Sequence, residues 1–138
     1  MSAVTSTWKT GLVCHPSLLQ RLDLPNTIYT STFTFAKREF DNEFHVLDNA
    51  IAQLARSIPG YMGEEAWENS ATGLISNVYY WESMEALRVL IEHPIHQEAK
   101  RKQARWLNGF QVVIAQVTHT YGDGGIPHPL GKVRPSRP

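Results

Sequence analysis

Hydrophobic and polar positions alternate with two different periods along this chain, and the switches between them mark out its elements. Thr27 to Phe35 is rich in β-branched and aromatic residues, with Tyr29, Ser31, Phe33 and Phe35 on one side and Ile28, Thr30, Thr32 and Thr34 on the other. This predicts a first strand. Asp41 is placed to cap the next segment, where Phe44, Leu47, Ile51, Leu54, Ala55 and Ile58 recur at three- and four-residue spacing. A helix follows, stopped by Pro59-Gly60. Gly63 to Glu68 and Leu74 to Trp81 read as two strands joined by a polar loop over 69–73, which suits an antiparallel hairpin. Ser83 can cap a short helix carrying Met84, Ala86, Leu87, Leu90 and Ile91; the helical stretch breaks near His93, and Pro94 opens a second segment to about Leu107. From Gln111 to Thr120, Val112, Ile114 and Gln116 alternate with Val113, Ala115 and Val117, which predicts a last strand buried on both faces.

Strand, helix, strand, strand, helix, strand is the order of a ferredoxin-like α+β fold, a four-stranded antiparallel sheet with helices on one face. The uncovered face, apolar along strand four and aromatic along strand one, is expected to stack against the same face of a second copy, giving a homodimer. Residues 27–121 form this domain. Residues 1–26 read as an arm with no clean period, although Pro16, Leu18, Leu19 and Leu22 fit a short helix and Trp8 with Val13 an edge strand. Residues 122–138 hold four glycines and four prolines with three basic groups, and are expected to be a tail that builds no core and wraps a partner.

Composition narrows the function. The chain has 138 residues, room for one domain and no separate cofactor domain. Thirteen basic and thirteen acidic residues cancel, which leaves nucleic acid an unexpected partner. The single cysteine, Cys14, forms no internal disulfide, and no apolar run approaches the length of a membrane span or a signal peptide. A soluble, cytoplasmic protein is expected.

Pro59-Gly60-Tyr61-Met62-Gly63, then Tyr80-Trp81-Glu82-Ser83-Met84-Glu85-Ala86-Leu87, then His93-Pro94-Ile95-His96-Gln97-Glu98-Ala99, then Trp106 and the valine-rich last strand, resemble the antibiotic biosynthesis monooxygenase family in order and spacing. The resemblance covers about residues 27–121. It implies a dimeric α+β barrel with a cavity between helices and sheet. For function it implies a monooxygenase using no metal or bound cofactor, acting on a flat aromatic or polyketide-like small molecule. A non-catalytic dimer that binds a small molecule is the alternative, and heme degradation a further one. That heme-degrading branch has an asparagine, a tryptophan and an iron-ligating histidine where this chain has Ser31, Leu90 and Lys100, so the pattern departs at every place.

Three residues are the catalytic candidates. His96, near a helix start, has an imidazole able to take a proton near neutral pH, as a phenolic substrate activated toward oxygen requires. Trp81 offers a flat stacking surface and an indole donor, and Asn77, on the same strand face, can hold a developing oxyanion. Tyr79, Trp106 and His45 are the expected substrate contacts. Each has a plainer reading, as core packing for the aromatic residues and as a helix cap for His96. His93 and His96 with His45 or Glu43 lack the spacing of a metal site, and Gly122-Asp123-Gly124-Gly125 precedes no helix and so is no phosphate loop.

Overall fold

The computed structural model of the protein describes residues 27–131. Strand β1 spans Ile28–Lys37, helix α1 Asn42–Ser57, β2 Tyr61–Glu68, β3 Ile75–Trp81, α2 Met84–Glu92, α3 Pro94–Lys102 and β4 Leu107–Val117, with a 3-10 turn at Gln103–Arg105. All neighbouring strands pair antiparallel, in the order β2-β3-β1-β4, which is the ferredoxin-like arrangement.

The helix ends form as their sequences dictate. Asp41 accepts a hydrogen bond from the Phe44 N–H at 2.9 Å, and Ser83 one from the Ala86 N–H at 3.1 Å. At the break, His93 Nδ1 accepts from the Ile95 N–H at 3.1 Å, and Pro94 occupies the first position of α3. Here the predicted second segment ends sooner than expected, at Lys102, and the chain turns through Gln103–Arg105 into a strand that begins at Leu107 rather than Gln111.

Register sorts the side chains onto two faces. Tyr29 pairs with Trp81, Ser31 with Tyr79, Phe33 with Asn77 and Phe35 with Ile75, so these residues share one side. That side packs on the helices through a cluster of Ala55, Ile58, Trp81, Ala86, Leu87 and Leu90. A second cluster beside it gathers Phe35, Trp106 and Leu107 with Phe33, Phe40, Phe44 and Leu47.

Two expectations are corrected. Strand one's aromatic residues face the helices, and its other side carries Ile28 and threonines, so the outer face is not aromatic along β1. Strand β4 is not buried on both faces within one chain: Phe110, Val112, Val113 and Ile114 are about half exposed, because β4 is an edge strand.

The segment after β4 also differs from a tail without a core. Leu130 is 4% exposed and packs on Ile28 and Tyr80 of the outer face, with Met62, Val78 and Val117 around them. The adjoining β2 has an irregular register between Tyr61 and Gly63, a bulge that brings Gly63 under Pro129. Gly63 has φ +138°, and a Cβ there would lie 2.7 Å from that of Pro129, so only glycine fits. The expected arm over residues 1–26 lies outside the described residues.

Candidate functional site

The helix-facing side of β3 collects the chemistry. Trp81 is fully buried, and its indole N–H donates to Ser31 Oγ at 3.2 Å across the β1–β3 pair. Two residues back on the same face, Tyr79 stacks on it with ring centroids 6.1 Å apart and planes 13° from parallel. Tyr61 closes this wall edge-on, 5.9 Å from Trp81 and 6.2 Å from Tyr79.

Across the β2–β3 pair, Glu64 lies opposite Tyr79. Its carboxylate is already occupied: Arg56 donates from Nε at 3.3 Å and from Nη2 at 3.0 Å, and the Tyr61 hydroxyl donates at 2.7 Å. Burial, with Glu64 next, holds the Tyr79 phenol well above the ordinary tyrosine range, so it stays a neutral donor.

Asn77 follows along the same face, between Phe33 and Ala66 in register. Among the described residues, His96 Nδ1 is the one fully buried side-chain nitrogen or oxygen without a hydrogen-bond partner. The Asn77 amide and the Tyr79 hydroxyl have no partner among the described residues either, so they are not sealed away. Two free hydrogen-bonding groups therefore stand one strand repeat apart, roughly 7 Å, on an aromatic wall.

The other candidates sit elsewhere. His96 lies at the junction of α2 and α3, where burial lowers its pKa, Lys100 adds to the effect and the Ile91 carbonyl opposes it. Its imidazole is neutral near pH 7 with one nitrogen unengaged. Trp106 belongs to the phenylalanine cluster, where its indole N–H donates to Asp41 at 3.0 Å and its carbonyl accepts from the Arg38 and Glu39 N–H groups. It ties the start of α1 to the start of β4. His45 is exposed and meets Phe40 and Phe44 edge-on. Nothing joins Trp106 or His45 to the Tyr79–Trp81 wall.

Of the positions compared with heme degradation, Ser31 is the acceptor for Trp81, Leu90 is buried in the core and Lys100 is exposed. No group of three or more His, Cys, Asp or Glu residues among those described is arranged to hold a metal ion. Among them, too, no helix is long and apolar enough to cross a membrane.

Sequence reasoning missed Ser31 as the partner of Trp81, and Arg56, Tyr61 and Glu64 as the group beside Tyr79. Strand alternation would have put Ser31 on the right face. The Tyr61–Glu64 pair depends on the β2 bulge, which no local pattern announces.

The four-stranded antiparallel sheet with helices on one face gives the chain the ferredoxin-like fold, which it shares with antibiotic biosynthesis monooxygenases. Among curated proteins the chain belongs to one family with the uncharacterized protein YqjZ of Bacillus subtilis (strain 168), to which it is 32% identical over 90 residues that cover 64% of this chain and 78% of YqjZ. No family model matches the chain. Similar solved structures include SnoaB, a cofactor-independent oxygenase from Streptomyces nogalater (TM-score 0.58, 13% identity, 70% of this chain and 98% of that one). A protein assigned to the antibiotic biosynthesis monooxygenases from Deinococcus radiodurans matches with TM-score 0.56 at 14% identity, over 70% and 97% of the two chains. At such identities the likeness is one of fold.

Proposed function

We propose that the protein is a small-molecule oxygenase that works without metal or bound cofactor and holds a flat aromatic substrate against the helix-facing side of β3. The observation that supports this reading is the pair of free polar groups, Asn77 and Tyr79, set beside the buried Trp81. The likeness to SnoaB supports the reaction class.

In this reading the substrate supplies the electrons. Loss of a proton makes a phenolic or anthrone-type ring into an anion rich enough to reduce oxygen, and a ring CH2 plus O2 becomes a ring C=O plus one water. A neutral imidazole is suited to take that proton, and His96 is the candidate base where the substrate extends from β3 toward the α2–α3 junction. Asn77 stabilises the oxyanion that develops, as amide donors do in a water-poor site. Tyr79, held by its stack on the buried Trp81, fixes the ring plane. The protein works as a homodimer, in which a second copy covers apolar residues of the outer face, Val113 of β4 and Trp67, which is 62% exposed.

An oxygen electrode tests the reaction. With 1,8-dihydroxyanthrone as substrate, the protein consumes one O2 per anthraquinone formed, and Asn77→Ala slows this by about a hundredfold, the usual cost of losing one oxyanion donor. No acceleration over buffer, for this anthrone and for a panel of naphthols, would leave the non-catalytic binding dimer as the better reading.

A further inference from the structure

We infer that Tyr79 is a specificity-determining residue: its phenol donates a hydrogen bond to an acceptor oxygen, a carbonyl or quinone, on the ligand that lies beside Tyr79 and Asn77 on the helix-facing side of β3. This rests on the reading above that a flat molecule occupies that side. The ground is the way neighbouring groups are already committed. Glu64 is the acceptor opposite Tyr79 in the β2–β3 register. Two Arg56 nitrogens and the Tyr61 hydroxyl donate to it at 2.7 to 3.3 Å, and Tyr79 does not. Tyr79 itself has no partner among the described residues, and its hydroxyl is not sealed. Its ring is held in place by stacking on Trp81 and by the edge of Tyr61, so the donor is aimed before any ligand arrives.

A phenol kept neutral by burial gives a proton to an acceptor more readily than it accepts one from a donor. A carbonyl oxygen beside it is therefore held better than a bare ring edge at the same place. Pairing a buried hydroxyl with a ligand group gives discrimination that apolar contact alone does not.

The test compares two rigid, soluble tricycles of one shape, anthraquinone-2-sulfonate and anthracene-2-sulfonate, titrated calorimetrically into the full chain and into Tyr79→Phe. That substitution removes a hydroxyl with no partner and leaves the ring stack, and an unchanged melting temperature verifies it. The quinone binds the wild-type protein about tenfold tighter than the hydrocarbon, one good hydrogen bond's worth. In Tyr79→Phe the preference disappears while the hydrocarbon affinity is unchanged. Equal binding of both to wild type would overturn the role of Tyr79 and leave the flat-ligand site standing, as would a quinone preference that survives Tyr79→Phe. Binding of neither would overturn this inference together with the site itself.

Discussion

Trp81→Ala lowers the stability of this protein by about 3–5 kcal/mol, the range for deleting a fully buried large aromatic side chain. Among the described residues Trp81 is one of two large side chains that are completely enclosed, and it shares a cluster with Ala55 of α1, Ile58 just after it, and Leu87 and Leu90 of α2. Its removal also leaves Ser31 without its donor and Tyr79 without its stacking partner. Urea unfolding measures the loss directly. Ser31→Ala separates the contributions, because it deletes the hydrogen bond alone and costs about 1 kcal/mol. A loss under 1 kcal/mol for Trp81→Ala would mean that the wall is not the centre of the core.

Leu130→Ala costs about 2–4 kcal/mol, although the residue sits in a stretch dominated by glycine and proline. Leu130 is as buried as the residues of the sheet it covers, beside Ile28 and Tyr80. A polar clasp holds the same segment. The Tyr80 hydroxyl donates to Glu65 at 2.6 Å, His128 Nε2 lies 3.3 Å from that carboxylate, and His128 Nδ1 accepts from the Leu130 N–H at 3.0 Å. Gly63→Ala acts on this docking from beneath, by setting a methyl group against Pro129 and straining the backbone at φ +138°, and costs about 1–3 kcal/mol. The two substitutions act on neighbouring residues of one docked segment, Pro129 and Leu130, so the double variant loses less than the sum of the singles. Strict additivity would show that the segment does not dock as a unit.

The parts of the fold legible in the sequence were those with a strong local signal. Asp41, Ser83 and Pro94 announce their helix starts, and alternation alone places Asn77, Tyr79 and Trp81 on one face. The same alternation was misapplied to the dimer face, because Tyr29, Phe33 and Phe35 turn toward the helices and leave threonines outside. Strand β4 is apolar on both sides as read, but one chain leaves it at an edge, where apolar pattern and burial part company. Leu130 and Gly63 were illegible for a different reason. Their roles come from a contact between residues far apart in the chain, and a lone leucine among prolines carries no period.

The candidate site was half legible for the same cause. A strand shows which residues share a face, but not which of them keep a free hydrogen-bonding group. Asn77 and Tyr79 stand out only once Glu64 is seen to be filled by Arg56 and Tyr61, and Trp106 separates from them only once its bond to Asp41 is seen. Size and aromaticity alone group Trp106 with Trp81.

The account stands on the helix-facing side of β3 being where a small molecule binds. Nitrogen-edited NMR of the labelled chain, titrated with anthraquinone-2-sulfonate, reads this from side chains on opposite faces. The Trp81 indole N–H and the Asn77 side-chain amide shift together and saturably, while the Trp67 indole N–H on the outer face stays still. Movement of the Trp67 signal with those of Trp81 and Asn77 unchanged would put the ligand on the wrong side of the sheet and contradict the account.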